Sequence, residues 1–199
     1  MDPAPRRVMF FIDGTNLLVA LTKELGADFQ ADKPPHAALE AARDYCDRVQ
    51  GGVIHAAVSK GSCMWRRYWF ASYTGTEEYG HAYAAALREL CFEPVLFKRR
   101  NGKEKGVDIA LTKELLINAF HRNVEFAVLF AGDEDYLGLV TDAKRYGVFV
   151  AGAFFKCHGL SEHLRLSFDD FVVLDNRLDG GKRSEYATRI QAGDSLLQQ

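Results

Sequence analysis

Asp13, Asp108 and Asp133 are the residues of this sequence best suited to chemistry, with Asp135 close behind the last of them. Carboxylate oxygens are hard ligands and suit Mg²⁺ or Mn²⁺. Gathered in one place without a cation they repel, and some would take up protons. One or two divalent ions resolve that conflict and can activate water against a phosphodiester. Just ahead of Asp108 runs a basic segment, Lys98-Arg99-Arg100-Asn101-Gly102-Lys103-Glu104-Lys105-Gly106. Cations beside an acidic metal cluster are what a phosphate backbone needs. Each feature also has a structural reading. Asp13 can form an Asx-turn or cap a helix, Asp108 can complement a helix dipole, and Asp135 can be an N-cap. A charge run is commonly a solvated loop.

The elements around these residues decide between the readings. Val8–Ile12 is a continuous apolar run, as in a strand buried on both faces of a parallel sheet, and Asp13 follows it directly. Helices are predicted over about 16–25 and 36–49, the second with Leu39, Ala42, Tyr45 and Cys46 on one face and Gly51-Gly52 as its stop. Strands follow at 53–58 and 67–73, a helix at 77–90 and a strand at 93–97. A strong helix is expected over 107–121, a strand over 125–130, a helix ending near Tyr146-Gly147 and a strand at 148–153. A short helix near 161–166 and a strand at 171–174 complete the domain. Alternating strands and helices predict an α/β fold with a mostly parallel sheet. Residues 1–178 form one domain in this reading, and 179–199 a flexible or weakly helical tail. In open α/β sheets sites form beyond the carboxyl ends of the strands. Asp13 and Asp133 fall at such ends, and a helix packed on the sheet could aim Asp108 at the same edge.

Bulk properties narrow the function classes. The 199 residues are 48% apolar and 26% charged, with a net charge of −2. That suits one globular domain and excludes a strongly basic nucleic-acid binder, so a polyanion site must be a local patch. Cys46, Cys63, Cys91 and Cys157 form no C-x-x-C pair and are expected as reduced thiols, mostly small core residues, in a cytoplasmic protein. No secretory leader or membrane span is expected. No G-x-S-x-G, P-loop or dinucleotide fingerprint occurs. His158 and His163 have no regular metal spacing, and His55 reads as a strand residue. The aromatics Tyr68, Trp69, Phe70 and Tyr73, beside Arg66 and Arg67, read as core before base-stacking surface.

Three blocks, Phe11-Ile12-Asp13-Gly14-Thr15-Asn16-Leu17, Lys105-Gly106-Val107-Asp108 and Ala131-Gly132-Asp133-Glu134-Asp135-Tyr136, occur in that order. They resemble the signature blocks of the NYN domain family, LabA-like members of the PIN-like nuclease superfamily. Ser161-Glu162-His163-Leu164 with Asp169-Asp170-Phe171 resembles that family's last segment. The resemblance spans about residues 8–174 and implies a PIN-like three-layer fold with a Mg²⁺- or Mn²⁺-dependent ribonuclease site. It implies metal-binding roles for Asp13, Asp108 and Asp133, an ordering role for Asn16, and a second acid at Asp135. It also implies a basic position at Lys105 and a polar group near the scissile phosphate at Ser161. With Lys98, Arg99 and Arg100 these form the expected substrate contacts. Single-stranded RNA is the expected partner, and a homodimer is compatible with so small a domain.

Two other classes compete. One is an NYN module that binds RNA or protein without cutting. The other is a haloacid-dehalogenase-like phosphatase, since Asp13-Gly14-Thr15 resembles the end of that family's D-x-D-G-T block. Its nucleophile would stand two residues before Asp13, where this chain has Phe11, which cannot form an acyl-phosphate.

Overall fold

The computed structural model describes residues 6–57, 63–99, 106–193 and 196. The chain order is β1 (Arg6–Asp13), α1 (Gly14–Leu25), α2 (His36–Ala57), β2 (Cys63–Tyr73), α3 (Glu77–Glu89), β3 (Glu93–Lys98) and α4 (Val107–Phe120). There follow β4 (Phe126–Phe130), a single 3-10 turn (Glu134–Tyr136), α5 (Leu137–Arg145), β5 (Phe149–Phe154), α6 (Glu162–Ser167), β6 (Asp170–Val173) and α7 (Gly180–Gln191).

β1 builds the frame. Successive strand residues point to opposite faces. Val8, Phe10 and Ile12 enter a core layer shared with α1, α2, α3 and α7, while Met9 and Phe11 enter a second layer shared with α4, α5 and α6. Burying these five side chains is worth on the order of 10 kcal/mol before the entropy of ordering them is set against it. The alternation carries on to Asp13, which falls on the α4 side. Three layers result: helices, sheet, helices.

All pairings in the sheet are parallel, in the order β3-β2-β1-β4-β5-β6. From β1 the chain moves outward through β2 to β3. It then returns through α4 to lay β4 against the other side of β1. Direction therefore reverses between β1 and β4, and a crevice opens beyond their carboxyl ends. β1 supplies Asp13 there and the segment after β4 supplies Asp133.

Several expectations change. No strand forms over 53–57; α2 continues through Gly51-Gly52 to Ala57, and residue 58 lies outside the described residues. A short apolar run fits a helix as well as a strand, and two glycines cost a helix only about 1 kcal/mol each, which packing can offset. The second strand is instead Cys63–Tyr73, reaching earlier than the expected 67–73, so six strands form among the described residues. The expected flexible or weakly helical tail is, over Gly180–Gln191, a helix capped by Asp179 and docked through buried Tyr186 and Ile190. Lys182 Nζ pairs with Asp44 at 2.6 Å, and Tyr186 donates to the same carboxylate at 3.0 Å. The thiols also differ from expectation: Cys46 is buried, but Cys91 and Cys157 are exposed. The β2 aromatics are core, as expected, with Trp69, Phe70 and Tyr73 buried. Arg66 pairs with Glu93, and Arg67 with Asp47 and Gln50. No helix among the described residues is long and apolar enough to cross a membrane.

Candidate active site

The crevice at the strand-order reversal is a cavity of about 350 Å³. Asp13, Asp108, Asp133 and Asp135 line it together with Asn16 and Tyr136. The four acids, drawn from a span of more than a hundred residues, thus meet at one place. A larger cavity of about 470 Å³ lies elsewhere, lined mainly by Phe29, Pro34, Pro35, Tyr79 and Ile190. It carries no carboxylate or histidine, which leaves the smaller one as the candidate site.

Local structure explains how each acid is held. Asp13 is 9% exposed and caps α1, its Oδ1 accepting from the Asn16 amide at 2.9 Å. Its Oδ2 accepts from the buried Tyr136 hydroxyl at 2.8 Å. Burial and then the charge of Asp13 push the Tyr136 phenol far above its ordinary range, and Asp108 and Asp133 add to the effect. The tyrosine hydroxyl therefore feels all three acids and stays a donor. Asp133 caps the 3-10 turn, accepting from the Asp135 amide at 3.1 Å. Asp108 stands exposed in the first turn of α4, after Gly106, whose φ of 97° is a left-handed conformation suited to glycine. Capping and cleft lining are compatible roles, and Asp13 and Asp133 have both.

Asn16 ties the two strand ends together: its Oδ1 accepts from the Gly132 amide at 2.9 Å. Gly132 in turn accepts from the Ser161 amide at 2.8 Å. A Cβ on Gly132 would lie 2.5 Å from the Phe154 ring and 2.9 Å from the Gly159 carbonyl oxygen, so the close approach requires glycine.

Ser161 caps α6 and donates to Glu134 Oε2 at 3.0 Å, and His163 Nδ1 meets Glu134 Oε1 at 2.9 Å. These contacts hold the Glu134 carboxyl below its usual range and the His163 imidazole above its own. Ser161 stands beside the acidic residues and is not among those lining the cavity. Of the basic segment, Lys98 pairs with Glu77 at 2.9 Å. Arg99 donates to Ser72 at 2.8 Å and pairs with Asp32 at 3.5 Å. Arg100, Lys103 and Lys105 lie outside the described residues. Sequence reasoning quoted Glu134 and Tyr136 within a signature block but gave neither a role, and only the folded turn reveals their partners.

Among the described residues, the group whose ligand atoms lie within 4.8 Å of one another is Glu24, His158 and Asp175, not the aspartate cleft. Its acids are already engaged. Glu24 faces Arg183 at 3.4 Å and His158 at 3.3 Å, and Asp175 accepts from the amides of Lys156 and Cys157. With the Arg183 guanidinium against Glu24, this cluster lies at a junction between α1, the β5 and β6 exits and α7. The aspartate cleft has no cation among its lining residues, and its all-oxygen donor set fits a hard divalent ion. Phe11, where a phosphatase would need its nucleophile, is fully buried.

The architecture is similar to that of a protein of unknown function from Vibrio parahaemolyticus, with a TM-score of 0.59, 18% identity, and coverage of 88% of this chain and 98% of that one. At that identity the likeness speaks to the fold alone. No curated protein matches the sequence significantly. The NYN domain family matches residues 7–175, from the start of β1 to just beyond β6, and the chain belongs to that family.

Proposed function

We propose that the protein is a divalent-metal-dependent ribonuclease that hydrolyses phosphodiester bonds of single-stranded RNA in the cytoplasm. The observation supporting this most is the meeting of Asp13, Asp108, Asp133 and Asp135 in one crevice where strand order reverses. PIN-like nuclease chemistry, implied by NYN membership, gives such a cleft its purpose. Asp13, Asp108 and Asp133 are the residues that would hold Mg²⁺ or Mn²⁺, with Asp135 as an outer acid. When bound, such an ion neutralises charge developing on the phosphodiester and lowers the pKa of a water molecule. The chain's own residues keep the cleft in shape. Tyr136 fixes the rotamer of the buried Asp13 carboxylate, and Asn16 locks the β1 exit to the β4 exit. Pre-set geometry of this kind is what positional catalysis requires.

The test is RNA cleavage by purified protein with Mn²⁺ or Mg²⁺. Wild type should degrade single-stranded RNA, and Asp13→Asn and Asp133→Asn should each lose at least about a hundredfold in rate, as removal of an electrostatic catalytic group does. Equal cleavage by all three proteins would mark a contaminant and overturn the reading. Binding without cleavage by wild type would assign a silent RNA-binding module instead.

A further inference from the structure

Beside the acidic cavity lies a second, also of about 350 Å³, lined by Asp108, Ile109, Thr112, Lys113, Asp135 and Tyr136. Asp108, Asp135 and Tyr136 line both, so the two form one continuous trough that leads out along α4. Ile109, Lys113 and Phe120 stand at i, i+4 and i+11, which is one face of a helix. That face is open to solvent: Ile109 is 71% exposed and Phe120 65%. Phe120 meets the ring of Tyr146 edge-on at 6.0 Å, and Tyr146 is itself half exposed. Scattered exposed apolar residues need no explanation. A row of them leaving an acidic cleft, with a lysine in it, is a different pattern.

The charges say what the row is for. A polyanion entering a cleft walled by four carboxylates needs cations close by. Lys98 and Arg99 are tied to Glu77 and Asp32. Lys113 makes no ion pair among the described residues, and stands about 7.5 Å along the helix axis from Asp108, of the order of one extended nucleotide unit. Apolar and aromatic surface alternating with cations is how single strands are held without base-edge readout.

We infer that single-stranded nucleic acid in the acidic cleft continues through this trough and along α4, with one phosphate on Lys113 and bases against Ile109 and the Phe120–Tyr146 pair. This rests on the nuclease reading and names the path of its substrate.

The experiment compares wild type, Lys113→Ala, Lys113→Glu, Ile109→Ala and Phe120→Ala, all checked for unchanged melting temperature. Steady-state cleavage is measured on RNA of about 12 and about 3 nucleotides, the shorter unable to span the trough. Anisotropy of labelled RNA repeats the comparison without requiring turnover. Lys113→Ala should raise KM and Kd roughly threefold and Lys113→Glu roughly tenfold with kcat unchanged, and the salt dependence should become shallower by about 0.7 in log–log slope. Ile109→Ala and Phe120→Ala should raise KM on the longer strand and leave the shorter one alone. Wild-type cleavage that is unmoved by Lys113→Glu and Phe120→Ala would overturn the path while the nuclease reading stands. RNA neither bound nor cut by wild type would overturn both. A change from dimer to monomer in Phe120→Ala, with RNA parameters unaltered, would make this face an interface between copies and also overturn the path.

Discussion

The Tyr136 hydroxyl is the least expected group in the cleft and the one that most constrains it. It donates to Asp13 from a buried position, so Asp13 has one rotamer and its oxygens have fixed directions. The bond to a charged acceptor is worth about 1.5–3 kcal/mol. Groups that orient a metal ligand typically change metal affinity 10- to 100-fold when removed. Tyr136→Phe should therefore weaken Mn²⁺ binding about tenfold by calorimetry. A loss of melting temperature with unchanged Mn²⁺ affinity would make Tyr136 a purely structural residue. At this scale the sequence was informative about the acids and, through the signature blocks, about Asn16, but it gave Tyr136 no role. Asp13, Asp108 and Asp133 each have an ordinary structural reading alone, and they could be picked out only by their shared place at one predicted sheet edge, the basic segment beside Asp108 and the ordered signature blocks. Tyr136 acts on Asp13, and Asn16 on Gly132, across more than a hundred positions, and no local pattern reports such partners.

Elements bring the acids together through close approaches of backbone. Gly132 donates to Asn16, accepts from Ser161 and packs under Phe154, so one residue joins the β1 exit, the β4 exit and the start of α6. Gly132→Ala should force these apart, destabilise the fold by about 1–3 kcal/mol as overpacking does, and lower activity more than Asp135→Asn does. A stable and fully active Gly132→Ala protein would show that the junction is not needed. At Gly14, just after β1, a Cβ would likewise run into Trp69. Element types were mostly legible, because an unbroken apolar run such as Val8–Ile12 fits little besides a buried strand. The failure at 53–57 has the opposite cause. Val53-Ile54-His55-Ala56-Ala57 is too short for its periodicity to separate strand from helix, and the glycine pair read as a stop did not stop α2.

The whole molecule is a parallel sheet between two helical layers, closed at one corner by α7. That helix was not legible as ordered, because its composition is polar and glycine-led. Its docking depends on Tyr186, Ile190 and charges that meet partners on α1 and α2, including Arg183 donating to the Glu24 carbonyl at 2.6 Å. Truncation after Leu178 should remove three buried side chains, Tyr186, Ile190 and Leu196, and cost roughly 4–9 kcal/mol, read as a lower urea midpoint. An unchanged midpoint would mean α7 contributes nothing to stability. The same junction contains Glu24, His158 and Asp175, whose ligand atoms converge within 4.8 Å among the described residues. That makes ion location the sharpest discriminator of the whole account. A crystal soaked in Mn²⁺ and measured for anomalous scattering should show density among Asp13, Asp108 and Asp133. Density at Glu24, His158 and Asp175 with none in the aspartate cleft, or no ordered ion at all, would contradict it.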